Sequence, residues 1–228
     1  MAEVLTPVRP GSFEDEAPAR PSGGGGGFGR RGGYGGDDGG PGGPDPGAQA
    51  VQKYKLGVWI ASGGIVMFFA ALTSAMVVRK GLGDDWRSYD LPGILWASTA
   101  VLLLSSFTIE KARLAAREDH AAAIRKWLGA TSLLGTLFLV TQFLGWQSLA
   151  AGGIYLATNP SASFFYVLTA AHGMHLLGGV AALSYVALRA MRPKVWVTRN
   201  AAVEATTVYW HFMDALWVYL FVLLMVWR

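Results

Sequence analysis

Five long apolar runs govern what this chain can fold into. Residues 56–78, 91–109, 127–149, 164–188 and 203–227 are each long enough to cross ~30 Å of hydrocarbon at about 1.5 Å per helical residue. They are apolar nearly all round, whereas a helix in a soluble bundle carries a polar stripe. In lipid every backbone N–H and C=O needs a partner within its own segment, so each run is predicted to be an α-helix. Charged residues make up 15% of the chain, against roughly 25% in soluble proteins. The expected fold class is all-α: a polytopic membrane protein built as a five-transmembrane-helix bundle.

The first fifty residues form a separate region. "PSGGGGGFGRRGGYGGDDGGPGGPDPG" has almost no aliphatic side chains. Such a segment buries too little apolar area to offset the entropy of ordering it, and it reads as a disordered cytoplasmic tail. It has no apolar core of the kind a signal peptide needs. "GRRGGYGG" resembles arginine–glycine boxes that bind RNA, but Asp37 and Asp38 follow Arg30 and Arg31 and cancel them. The reading kept is a solvated tether, with no nucleic-acid partner.

The connectors set the topology. Lys53, Lys55, Lys111, Arg113, Arg117, Arg125, Lys126, Arg189, Arg192, Lys194 and Arg199 lie on the side of the N-terminus, and Arg79, Lys80, Arg87 and Arg228 on the other. Eleven against four places the N-terminus in the cytoplasm and the C-terminus outside. Trp86, Trp127, Trp196 and Trp227 fall near span ends, where amphipathic rings favour the interface. Pro92 opens span two, Ser161 or Ser163 is a candidate cap for span four, and His120 falls in the charged loop on a short surface helix. No internal repeat of the inverted-transporter kind is visible.

Ionisable groups inside a span cost about 2.5–3.5 kcal/mol each on insertion scales, so each calls for a reason. In "EATTVYWHFMDALW" (204–217), Glu204 set at zero puts Thr207 at about −60°, His211 at about −20° and Asp214 at about −80°. These four share one face, and Val208, Met213, Ala215 and Val222 lie opposite. The helix is expected to turn one side to protein and the other to lipid. In span four, "AAHGMHLLGG" (170–179) sets His172 and His175 about 60° apart, beside Gly173, Gly178 and Gly179, which permit close backbone approach. The expected arrangement is an interhelical polar network of His172, His175, Glu204, Thr207, His211 and Asp214, with the histidines meeting the acids of span five. A zinc site, a bis-histidine haem and a proton relay are the competing readings. The His-x-x-His spacing is weak for zinc, and no second acidic ladder continues a relay. With no cysteine in the chain, disulfides, thiolate-bound iron–sulfur clusters, thioether-attached haem and cysteine-bridged copper are excluded. Glu110, beside Lys111 and Arg113, reads as a solvated end charge. The serines and threonines of "LPGILWASTAVLLLSSFT" (91–108) suit interhelical hydrogen bonds.

"FFYVLTAAHGMHLLGG" (164–179) followed by "EATTVYWHFMDALWVYLFVLLMVW" (204–227) resembles subunit III of the haem–copper cytochrome c and quinol oxidases. That family carries an "HG-x-H…G" stretch, then a Glu seven residues before the His of "YWHF-D-x-x-W"; Glu204, His211, Asp214 and Trp217 match by position. Leu91–Pro92 with "LLLSSFT", and "WLGATSLLGTLFLVTQFLGW" (127–146), extend the likeness over residues 53–228. The resemblance implies a five-helix form of a subunit that often has seven helices and a cleft holding phospholipid. In some oxidases the missing pair is attached to subunit I. It implies a bacterial inner-membrane protein that binds no cofactor itself, with haem and copper in partner subunits. It also implies contacts with oxidase subunits I and II and with membrane lipids, and support of subunit I, lipid placement and proton uptake. An accessory subunit of a nitric oxide reductase-type or quinol oxidase complex, or an independent small transporter, are the alternatives. Two departures stand out. The first family span commonly holds a carboxylate where this chain has Gly63, Gly64 and Ile65, and the third span here has Gly145 before Trp146 in place of Glu.

Overall fold

The computed structural model describes residues 46–189 and 196–227, and these contain five helices and no strand. They run α1 (Pro46–Leu82), α2 (Ile94–Arg117), α3 (Ala121–Ala151), α4 (Pro160–Arg189) and α5 (Trp196–Trp227). Each contains a window apolar enough to cross a membrane. The glycine-rich tail up to residue 45, the connector bearing Arg192 and Lys194, and Arg228 lie outside the described residues. Helix α1 starts at Pro46, a few residues before the boundary drawn at residue 50.

Local chemistry explains the helix ends, and corrects several expectations. Helix α2 begins two residues after Pro92, which lies in a turn closed by Leu95 N–H on the Pro92 carbonyl at 3.0 Å. It ends in a Schellman turn: His120 N–H reaches the Ala115 carbonyl at 3.0 Å, and Asp119 takes a left-handed φ of 58°. Aspartate tolerates that conformation better than most residues. His120 is therefore the residue before α3 and not part of a separate surface helix. The basic residues on either side belong to the two long helices. Helix α3 ends the same way, with Gly153 at φ 78° and Ile154 N–H on the Leu149 carbonyl at 3.0 Å. Helix α4 is capped by Asn159, whose Oδ1 accepts from Ala162 N–H at 2.8 Å. The serines proposed for that role do otherwise: Ser163 bonds back to the Leu156 carbonyl at 2.5 Å.

Helices α2, α3, α4 and α5 close into a ring, each packing on the next, and α1 lies outside it against α4 and α5. Burial follows: 44% of the apolar window of α5 is covered, but only 22% of that of α1. The middle of the ring is filled by rings from α5. Trp210 and Trp217, two turns apart, are fully buried with Phe138 and Phe165. Trp210 sits in a slot cut by two glycines. A Cβ on Gly135 of α3 would lie 2.6 Å from its ring, and one on Gly179 of α4 would lie 3.5 Å from it. Small residues thus let one large side chain hold three helices together.

Candidate functional site

The polar groups between helices fall into layers. Helices α2 and α3 are joined by Gln142 Nε2 donating to Ser98 Oγ at 2.8 Å and by Thr108 and Thr131 hydroxyls 2.8 Å apart. Helices α2 and α5 are joined by Trp210 Nε1 on Ser105 Oγ at 2.9 Å and Trp217 Nε1 on Thr99 Oγ1 at 3.0 Å. Trp146 Nε1 donates to Thr169 Oγ1 at 3.1 Å between α3 and α4. Several acceptor hydroxyls also donate to their own helix, as Ser98 and Thr99 do to the Leu95 carbonyl. Each is thereby oriented to receive the neighbour's N–H. Without lipid-phase water to satisfy them, such groups must pair within the bundle.

The charged groups of α5 also find partners, but not those expected. Glu204 pairs with Lys55 of α1 at 3.1 Å. His211 Nε2 lies 3.6 Å from Glu110 of α2, which also meets Arg113 at 3.3 Å. Asp214 accepts a hydrogen bond from Ser106 of α2. Thr207 bonds only its own helix, at the Val203 carbonyl, 2.8 Å away. Near the N-terminal end of α5, Arg113, Arg117, Asn200 and Glu204 line a cavity of about 270 Å³ between α2 and α5.

The histidines of α4 go elsewhere. His172 is fully buried between Phe138, at 5.9 Å between centroids, and Trp217, at 5.1 Å. His175 Nδ1 is 2.7 Å from the Ala171 carbonyl of its own helix, and its ring lies near Phe68 and Phe69 of α1. The expected meeting of span-four histidines with span-five acids is not formed. The acids sit toward α1 and α2, while α4 touches α5 along its aromatic side. The two-sided picture of α5 also needs correcting. Met213, placed on the lipid face by the helical wheel, is fully buried, and His211 is 43% exposed at its side chain. A helix packed against three neighbours has buried more than one face.

The two histidines diverge to different neighbours and do not converge on one ion. Among the described residues, no group of three or more His, Cys, Asp or Glu side chains is placed to hold a metal. Sequence reasoning missed Lys55, Gln142 and Arg113, and it took Glu110 for a solvated charge. The serine-rich run of α2 was the one available signal for Ser98, Ser105 and Ser106.

The opposite end has its own clasp. The carbonyl of Trp227 accepts from Trp86 Nε1 at 3.1 Å and from Lys80 Nζ at 3.3 Å, and Lys80 lies over both indole rings. In the last turn of α1, Arg79 meets Asp85 of the following connector at 2.6 Å, and that hydrogen bond holds the Asp85 carboxyl below the usual carboxylate range. Tyr89, in the same connector, has its phenol pushed above its ordinary range by burial.

Fold and site together define a polytopic α-helical integral membrane protein with polar side chains paired between its helices. The chain belongs to the cytochrome c oxidase subunit III family, whose profile matches residues 49–228. Among curated relatives, cytochrome c oxidase subunit 3 of Synechocystis sp. is 38% identical over 175 residues, covering 70% of this chain and 72% of its own. The subunit 3 of Thermostichus vulcanus is 32% identical, over 69% of this chain and 79% of its own. A probable subunit 3 of Nocardia farcinica is 30% identical, over 72% and 82%. Membership places the chain in a multi-subunit oxidase of a respiratory chain.

Proposed function

We propose that this chain is a structural, non-redox subunit of a bacterial haem–copper terminal oxidase. It packs against subunit I, with subunit II in the same complex. Oxygen reduction and its coupling to proton pumping take place at haem and copper held by those partners. The chain stabilises the oxygen-reducing subunit, helps to place phospholipid and supports proton uptake. It lies in the inner membrane with its N-terminus in the cytoplasm.

The observation that carries this reading is the placement of the three α5 groups of the family motif. Glu204, His211 and Asp214 are each spent on a different side chain of α1 or α2. Groups used in this way fix the shape of a subunit. Support of proton uptake rests on a narrower base. The carboxylates common in the first and third family spans are replaced here by glycine and isoleucine. Glu204 lines the cavity between α2 and α5, and Glu110 of α2 lies 3.6 Å from His211.

Glu204→Ala tests the reading. Breaking the pair with Lys55 is expected to lower the yield of assembled oxidase, read as haem recovered with the affinity-tagged chain. The oxygen turnover per haem of the complex that does assemble is expected to stay near wild type. Full assembly with abolished oxygen reduction would contradict it.

A further inference from the structure

We propose that the core of the bundle holds a buried water molecule that bridges Gln142 of α3 to His172 of α4. The argument begins with register. Contacts between the antiparallel helices α3 and α4 link Trp146 to Thr169, Phe138 to His172, and Leu139 to Gly173. These contacts place position 142 on α3 within about a turn of position 172 on α4. The same layer holds Ser98 and Thr99 of α2, through the Gln142–Ser98 and Trp217–Thr99 hydrogen bonds. One layer thus gathers a glutamine, a histidine, a serine, a threonine and a tryptophan from four helices.

Within that layer the hydroxyls and the indole are satisfied. Two side chains are not. Gln142 Oε1 and both ring nitrogens of His172 have no hydrogen-bond partner. The glutamine is 5% exposed and the histidine 0%. The orientation of the glutamine is fixed by chemistry: Ser98 gives its proton to the Leu95 carbonyl, so it can only accept from Gln142 Nε2. That leaves Oε1 as an acceptor facing the interior. A neutral imidazole offers one donor and one acceptor. The two groups make no hydrogen bond with each other, and Phe138 and Trp217 supply none to the imidazole.

Leaving Gln142 Oε1 and a His172 nitrogen dry in a hydrocarbon-surrounded core costs more than immobilising one solvent molecule. Buried waters occupy this kind of site, with two to four polar partners and no other way for those partners to be paired. A water donating to Gln142 Oε1 and hydrogen-bonded to His172 continues the chain through Nε2, Ser98 and the Leu95 carbonyl, tying α2, α3 and α4 in one line. The ligand is solvent, held as a structural part. The inference holds whichever oxidase the chain joins, so its failure leaves the functional reading above intact, and the reverse.

The test is a map of the intact purified complex, at a resolution that resolves ordered water, joined to a double-mutant cycle. An isolated density within hydrogen-bonding distance of both Gln142 Oε1 and a His172 nitrogen is expected. Gln142→Leu and His172→Phe each remove one anchor and strand the other. The double variant Q142L/H172F is therefore expected to lower the thermal dissociation midpoint of the complex by clearly less than the sum of the two single losses. Should the single variants fail to assemble, the wild-type density alone decides. A dry contact, with Gln142 bonded directly to His172 or neither atom near density, overturns the proposal, and so do strictly additive losses.

Discussion

Adding a single carbon at Gly135 tests the packing logic of the bundle most sharply. In Gly135→Ala the new Cβ would stand 2.6 Å from Trp210 Cη2, 3.0 Å from Cζ2 and 3.0 Å from Val180 Cγ2. Real Cβ atoms do not approach so closely, so something must move. The indole has little room to do so. It is fully buried, its Nε1 is bonded to Ser105, and its adjoining Cζ3 faces Gly179. Forcing one extra carbon into a filled core costs about 1–3 kcal/mol. Against that, alanine for glycine inside a helix gains about 0.4–1 kcal/mol through the unfolded state. At mid-range values the net loss is about 1.3 kcal/mol, and a change of that size moves the unfolding midpoint of a chain this long by roughly 3–5 °C. Two controls isolate the cause. Gly173→Ala meets nothing nearer than Leu139 Cδ2 at 3.7 Å, and Gly64→Ala meets nothing within 4 Å. Both keep the helix-forming gain without the clash, so they are expected to be neutral or slightly stabilising. The assay is thermal dissociation of the purified complex in nanodiscs, with indole fluorescence as a second probe of the Trp210 environment. A Gly135→Ala variant as stable as Gly173→Ala would refute the idea that Trp210 is wedged between α3 and α4.

Other outcomes follow from single contacts. Ser106→Ala strips the donor from the Asp214 carboxyl, which is 4% exposed, and should cost about 1–3 kcal/mol in dissociation assays. Asp214→Asn keeps an acceptor for Ser106 and should cost less. The depressed Asp85 carboxyl gives the connector after α1 a stabilisation present above the ordinary carboxylate range and lost as pH falls through its folded value. Amide exchange over residues 83–90, corrected for intrinsic rates, should therefore rise on acidification in the wild type and stay flat in Asp85→Asn. Because the chain has no cysteine, single substitutions report topology directly. Ala157→Cys should react with an impermeant maleimide on intact cells, and Glu118→Cys only after the membrane is opened; the reverse pattern would invert the assigned orientation.

The five helices were legible because each rests on a property of the local sequence: a run of apolar residues long enough to span lipid. Their ends were less so. Pro92, Ser161 and Ser163 all had the right chemistry for helix starts, yet Gly93 and Asn159 hold those boundaries. The turn at Asp119 escaped notice because a left-handed aspartate looks like any other residue of a charged loop. At the site, the helical wheel identified the residues of α5 that needed partners. It had no means of saying which helix would supply them. A wheel fixes angle around one axis, and the identity of the neighbour at that angle depends on how five axes are arranged.

That limit explains the fate of the two histidine-bearing helices. On sequence alone, the histidines of α4 and the acids of α5 were the costliest groups in the membrane, and pairing them was the most economical guess. The arrangement of axes ruled otherwise. Glycines at 135 and 179 make room for Trp210, and Trp210 with Trp217 turns the aromatic side of α5 toward α3 and α4. Once that side is inward, Glu204, His211 and Asp214 must face α1 and α2. There Lys55, Glu110 and Ser106 meet them. His172 is then left against an indole and a phenylalanine. The packing of two large rings, rather than any attraction between charges, decides which polar groups can meet.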